Sequence, residues 1–167
     1  MPSRLRPLRL YDLSVTVHVG AVVVGFGATF TYPVIQILAE RRNPRALPFA
    51  MAAILAISRF VAVPATLVVG ATGIYQLAAG PYGLDDAWVS AGLALYIAIM
   101  LVAVLYLAPC YRRAEREAQL MVDGLGPDEA VSLSPAYRAV TRKTAIVGPA
   151  VAGAVLATVA LMELKPG

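Results

Sequence analysis

The chain contains four apolar stretches, each long enough to cross the hydrocarbon core of a lipid bilayer. A helix needs about 20 apolar residues to span this core, which is about 30 Å thick. Lipid offers no hydrogen-bond partners, so the backbone must satisfy its own polar groups, and this predicts helices. The stretches cover residues 11–38, 47–79, 87–110 and 144–164.

The composition also indicates a membrane protein. Charged residues make up 14% of the 167 residues and hydrophobic residues 59%, whereas about a quarter of a soluble domain is charged. The mean hydropathy is +0.73. The net charge of +4 comes from short runs between the apolar stretches. No basic stripe is interleaved with aromatic residues, so we expect no nucleic-acid partner.

The links between the stretches predict the topology. Residues 40–45 and 80–83 form tight turns, and short turns make neighbouring helices antiparallel. Asp85 and Asp86 suit the start of the third helix. The link from residue 112 to 135 is long and begins with a polar helical extension. We therefore expect a single all-α domain that forms a transmembrane up-down four-helix bundle. Prolines and arginines occur at similar places near the helix ends in the two halves of the chain, which suggests two repeated helical hairpins.

The distribution of lysine and arginine predicts the orientation. The side with both termini and the second turn carries four of these residues, and the opposite side carries nine. The richer side is expected to be cytoplasmic. This predicts a multi-pass protein of the bacterial cytoplasmic (inner) membrane with both termini outside.

The first stretch has a polar face that includes the only histidine of the chain, His18. Polar residues recur there at spacings of three, four and seven, which places them on one side of a helix. Small residues on that side are typical of membrane helices that pack closely. We predict that these residues face the bundle: Ser14, Thr29, Tyr32 and Gln36 on the first helix, and Arg59 on the second.

Arg59 interrupts the second stretch, and a charge at the bilayer centre costs about 2.5 kcal/mol or more. If residues 60–79 form the spanning part, Arg59 lies at the membrane edge and its side chain reaches the headgroups. If the whole stretch is embedded, Arg59 lies deeper and requires a partner.

His18 is the best candidate for a functional residue. At 1.5 Å per residue it lies about 10 Å in from Tyr11. A neutral imidazole can ligate haem iron, or it can form a hydrogen bond within the bundle, and the sequence leaves both interpretations open. Residues at the same depth on other helices are Thr72, Tyr75, Gln76, Tyr96 and Thr158, of which Gln76 and Tyr96 are candidate neighbours in a cofactor site.

Other sites are not indicated by the sequence. Cys110, as a lone cysteine, excludes an intrachain disulfide and a CxxC motif. Clustered ligands for zinc or copper are missing from the membrane stretches, so we predict no metal site. No GxSxG, Walker A or HExxH motif occurs. The sequence therefore contains no complete catalytic motif.

Three segments carry a resemblance to a known family, namely HVGAVVVGFGATF beginning at His18, RFVAVP beginning at Arg59, and TGIYQL near the end of the second stretch. Between about Leu13 and Arg113 the chain resembles a bacterial family of four-helix integral membrane proteins of unknown function. That family is loosely similar to membrane bundles of the copper-resistance D and haem-dependent protoporphyrinogen oxidase type. The resemblance implies that His18 occupies the position of a haem ligand. The chain departs from those relatives by lacking a second histidine and the tryptophan that often follows the first.

These observations lead to three hypotheses about function. The first is an accessory or structural subunit that packs against other membrane chains. The alternative is a haem-binding redox protein with His18 as axial ligand, and a weaker alternative is a transporter of small solutes or metals. The expected partners are the lipid bilayer and either other membrane proteins or a second copy of this chain.

Overall fold

The computed structural model describes residues 10–126 and 129–165. Helices make up 87% of the structure, and the described residues contain no strand. The described residues form four helices long and apolar enough to cross a membrane, which confirms the predicted all-α fold. Their bounds are α1 Leu10–Arg42, α2 Pro44–Ala79, α3 Ala87–Val122 and α4 Pro135–Leu164.

All four helices are longer than a bilayer requires. They contain 30 to 36 residues, or about 45–54 Å at 1.5 Å per residue, against a hydrocarbon core of about 30 Å. The excess lies at the end where α1 joins α2 and α3 joins α4. We name the two parts of the bundle accordingly. The terminal half comprises residues 10–29, 60–79, 87–107 and 144–164, and the loop half comprises residues 30–59, 108–126 and 129–143.

Charge separates the two halves. In the terminal half the charged residues are Asp12 and Glu163, both close to its outer rim. Each of its four segments has 20 or 21 residues, which matches the thickness of the hydrocarbon core. We infer that the terminal half spans the bilayer and that the loop half extends into the headgroups and water.

Prolines produce irregular backbone near the border between the halves. Pro64 and Pro109 follow wide π-helical turns at Ser58–Ala62 and Ala103–Leu107. A proline ring lacks an N–H and clashes with the carbonyl group four residues earlier, and a wider turn relieves both problems. In α1 the helix is interrupted at Phe30, at a similar level. The border therefore coincides with breaks in the regular α-helical geometry of α1, α2 and α3.

The loop half contains the best-packed core of the protein. Leu47, Met51, Ile54 and Tyr137 are fully buried there. They belong to a cluster to which α1, α2, α3 and α4 all contribute. This packing clamps all four helices together at one end of the bundle.

Polar contacts reinforce the loop half. The carboxylate of Glu40 accepts hydrogen bonds from the Tyr137 hydroxyl and the Gln36 amide, both at 2.9 Å. Ser134 caps α4, since its hydroxyl oxygen accepts from the backbone N–H of Tyr137 at 3.1 Å. Arg45 donates to the carbonyl groups of Gly126 and Glu129 and so ties the first link to the second.

The terminal half is organised as two helix pairs, α1 with α2 and α3 with α4. The closest approach within the first pair is at Gly25, which is buried against α2. The most extensive packing of α2 on α3 is in the loop half. The two pairs therefore enclose a space between them in the terminal half.

The sequence grouped Arg59 with the bundle-facing residues, and that grouping stays a prediction. The Arg59 side chain is exposed, and its guanidinium carbon lies 5.6 Å from the centroid of the Phe60 ring. The buried positions of this region are apolar, such as Ala62, because a guanidinium group without an acidic partner is costly to bury. The exposed position at the border allows Arg59 to reach the headgroups, as in the first of its two interpretations.

Candidate functional site

A cavity of about 250 Å³ lies between the two helix pairs of the terminal half. Its walls are mainly aliphatic and aromatic, and a few polar groups are embedded in them. Such a wall is typical of binding sites for small ligands. The lining includes Val22, Phe26, Val69, Leu77, Leu93, Ile99, Val155 and Met162, together with the polar residues His18, Gln76, Tyr96 and Thr158.

His18 is held in place by α2. Its Nδ1 lies 2.9 Å from the hydroxyl oxygen of Thr72. The Thr72 hydroxyl donates its own proton to the carbonyl group of Val68 at 2.6 Å. The oxygen of Thr72 therefore accepts from Nδ1–H, and we assign the imidazole tautomer with its lone pair on Nε2. This imidazole can accept a hydrogen bond from a ligand in the cavity.

The other two predicted site residues line the same cavity. Gln76 on α2 donates to the carbonyl group of Ser14 at 3.2 Å. Tyr96 on α3 donates its hydroxyl proton to the carbonyl group of Thr66 at 3.0 Å and so connects the two helix pairs. The structure thus brings His18, Gln76 and Tyr96 around one space, and their role in binding a cofactor stays a prediction.

Two glycines of α2 lie next to these side chains. A Cβ atom on Gly70 would lie 2.6 Å from the Tyr96 hydroxyl oxygen, and one on Gly73 would lie 3.6 Å from Cε1 of His18. The first contact would displace the tyrosine ring, whereas the second is an ordinary van der Waals distance, so Gly73 packs against the imidazole without a steric need for glycine. The pattern of small residues in the sequence indicated close packing, but the side chains that use the space are visible only in the fold.

The polar face of α1 does not form one cluster. Ser14 and Thr29 donate to carbonyl groups of their own helix, those of Tyr11 and Phe26, each at 2.8 Å. Tyr32 is buried in the loop half, with its ring edge-on to Tyr111 at 5.8 Å between centroids. Gln36 is also in the loop half, where it contacts Glu40. Because α1 is 33 residues long, one face passes through two different environments.

Aromatic residues line the outer rim of the cavity. The rings of Tyr82 and Trp88 pack edge to face, 4.9 Å apart, and both residues line the cavity. The ammonium group of Lys165 lies 4.8 Å from the Tyr82 centroid and 5.7 Å from that of Trp88. The sequence analysis did not identify this contact, because Lys165 is far from both aromatic residues along the chain.

The side chains and the volume of the cavity bear on two candidate ligands, a metal ion and haem. The described residues contain no group of three or more histidine, cysteine, aspartate or glutamate side chains that could hold a metal ion. His18 has the orienting hydrogen bond typical of a metal-binding imidazole. However, about 250 Å³ is below the roughly 300–1,000 Å³ of pockets for drug-sized ligands, and a porphyrin exceeds most of those ligands in size. The described lining contains no lysine or arginine, and the cation at its rim is Lys165, against Tyr82 and Trp88.

The fold and the site together define a four-helix integral membrane protein with an intramembrane cavity. A comparison with protein-family models gives the particular family. Residues 12–166 match the family described as "Predicted integral membrane protein (DUF2269)", and the chain belongs to that family. This confirms the membrane family of unknown function that the sequence resembled. No curated protein and no solved structure matches the chain.

Proposed function

We propose that this membrane protein binds a compact, largely apolar molecule in the cavity between its two helix pairs. The single observation that carries the proposal is the His18 imidazole in the cavity wall, with Nδ1 2.9 Å from the Thr72 hydroxyl oxygen; the tautomer assigned above leaves Nε2 as the hydrogen-bond acceptor. A few polar groups in an apolar wall fix the orientation of a ligand and provide specificity. The ligand therefore carries one hydroxyl or N–H donor on an apolar body.

The other polar groups at this depth support this ligand chemistry. The hydroxyl protons of Tyr96 and Thr158 are already donated to backbone carbonyl groups of Thr66 and Ala154. Burying a donor without a partner costs free energy, and burying it against a free acceptor does not. A ligand whose donor points toward His18 is therefore favoured over one that offers only acceptors.

The binding proposal is tested with two probes, 1-naphthol and naphthalene, which differ by one hydroxyl group. Trp88 is the only tryptophan of the chain and lines the cavity, so its fluorescence reports binding directly. The wild-type protein is expected to prefer 1-naphthol to naphthalene, after correction for partition into detergent, by roughly 2- to 10-fold, the value of one hydrogen bond. In His18→Phe, which keeps an aromatic ring but removes the acceptor, this preference is expected to disappear.

The matched control is Tyr75→Phe on α2, an exposed tyrosine outside the cavity lining. It should keep the wild-type preference. If neither probe changes Trp88 fluorescence in a saturable manner, the cavity is not a binding site. If His18→Phe retains the full preference for 1-naphthol, His18 is not the acceptor.

Haem ligation by His18 stays a prediction and is decided by an absorption spectrum. After expression with haem supplied, the dimensions of the cavity lead us to expect no Soret band that depends on His18. A Soret band present in the wild type and absent from His18→Ala would instead support the redox hypothesis and contradict the proposal of a compact ligand.

The accessory-subunit role is a separate prediction and is compatible with the cavity. Purification in mild detergent tests it, since a larger complex should then be recovered with the protein. A transport role would require more than this one chain, because the cavity lining lies within the terminal half and the core of the loop half lies beyond it. Neither role is needed for the binding test above.

A further inference from the structure

The border of the loop half carries an arginine groove on α3 that the proposed ligand site does not use. The groove measures about 490 Å³ and is lined by Pro109, Arg112, Arg113, Arg116 and Glu117. The spacing of these residues places them along one face of the helix. All three arginines are exposed.

The guanidinium groups of the groove are available to a ligand. The structure gives them no ion pair and no hydrogen bond to any described residue. Glu117 shares the groove without forming an ion pair, so the net charge of the groove is positive. On the opposite face of the same helix, Ala114 and Ala118 are buried in the core of the loop half. The helix therefore holds the arginines on a rigid support.

The depth of the groove matches the lipid headgroups. If residue 107 marks the edge of the hydrocarbon core, Arg112 and Arg116 lie about 7 and 14 Å beyond it. The headgroup layer is about 5–8 Å thick on each side. Side chains of a helix point back toward its N-terminus, and α3 begins at the opposite side of the membrane. The long arginine side chains therefore reach back toward the phosphate layer.

We propose that this arginine groove binds the headgroup of an anionic phospholipid. Arginine guanidinium groups bind phosphate oxygens in bidentate geometry, and Pro109 places the apolar end of the groove next to the acyl chains. Basic residues just beyond the end of a membrane helix attract anionic lipid.

Three other exposed arginines of the loop half, Arg41, Arg42 and Arg138, lack this combination of depth and direction. Arg41 and Arg42 lie about 18 Å beyond residue 29 at 1.5 Å per residue. Arg138 lies at a suitable depth, but α4 runs in the opposite direction, so its side chain points away from the bilayer. These three residues provide a control with the same change in charge.

The experiment uses the full-length protein purified with phosphatidylglycerol and phosphatidylcholine in equal parts. Retained lipid is measured by native mass spectrometry. The wild type is expected to retain phosphatidylglycerol in preference to phosphatidylcholine. The variant Arg112→Gln, Arg113→Gln, Arg116→Gln is expected to bind phosphatidylglycerol about a hundredfold more weakly, and the control Arg41→Gln, Arg42→Gln, Arg138→Gln should bind like the wild type.

Each alternative result has a defined meaning. If both triple variants lost phosphatidylglycerol binding to the same extent, only the net charge would matter, and the proposal would be overturned. Equal retention of the two lipids by the wild type would also overturn it. Displacement of phosphatidylglycerol by inorganic phosphate at the same concentration would assign the groove to a soluble anion instead of a lipid. The substituted side chains are exposed, so an unchanged thermal unfolding midpoint is expected and identifies folded variants.

Discussion

Replacement of Ile54 by alanine is expected to lower the free energy of unfolding by about 2–5 kcal/mol. Ile54 is fully buried in the core of the loop half. Removing its side chain leaves a cavity between helices that the surrounding core cannot fill. Thermal or denaturant unfolding in mild detergent, followed by circular dichroism, measures the loss.

Phe49→Ala provides the control for this prediction. Phe49 lies on the same segment of α2 but is 79% exposed. Its replacement should change the free energy of unfolding by no more than about 0.5 kcal/mol, as for most surface positions, although it removes more atoms. If the two substitutions lowered the free energy of unfolding equally, the assignment of the main core to the loop half would be contradicted.

Replacement of Gly25 by leucine is expected to force α1 away from α2 and to destabilise the protein by about 1–3 kcal/mol. A Cβ atom at Gly25 would lie 2.9 Å from Cβ of Ala65 and 3.7 Å from the carbonyl oxygen of Ala62. Neither neighbour is the end of a flexible side chain, so the helices themselves must separate. The same separation should weaken the contact between His18 and Thr72, and we expect the discrimination between 1-naphthol and naphthalene to fall with it.

The controls for Gly25 are Gly20→Leu and Gly27→Leu, on the same helix. A Cβ atom at either position would meet nothing within 4 Å. Because glycine is a poor helix former, these two substitutions are expected to be neutral or slightly stabilising. The opposite sign of the effect at Gly25 and at its neighbours is the outcome that checks the packing of α1 on α2. Destabilisation at all three positions would contradict it.

The two halves of the bundle differ in how tightly they are packed. The loop half contains the fully buried side chains and the polar contacts of Glu40 and Arg45, so it holds the four helices together. The terminal half contains the cavity and few buried side chains. The wide turns before Pro64 and Pro109 lie between them. A well-packed core at one end and a cavity between the helix pairs at the other suit a protein that binds a ligand in its terminal half.

Much of the fold could be predicted from the sequence. The four apolar stretches required helices because lipid does not satisfy backbone polar groups, and the tight turns required antiparallel neighbours. The position of Ser134 as a helix cap was also predictable, because capping is a local interaction. Depth along the helices grouped five residues with His18: Thr72, Tyr75, Gln76, Tyr96 and Thr158. Of these, Thr72 contacts His18, Gln76, Tyr96 and Thr158 line the same cavity, and Tyr75 lies outside the lining.

Other features depended on information that is not local. The polar face of α1 suggested a continuous stripe, but Ser14 and Tyr32 lie in different halves, since the helix is longer than the bilayer. The sequence grouped Arg59 with the bundle-facing residues, but spacing alone does not include the cost of burying an unpaired charge. The contact of Lys165 with Trp88 joins distant parts of the chain.

The sequence by itself determined that this protein is a four-helix membrane bundle, because hydrophobicity and length act locally along the chain. The tertiary structure decided that His18 lines a cavity next to Thr72 and that three arginines of α3 line one groove. Both features arise from how the helices pack and from the direction in which each one runs.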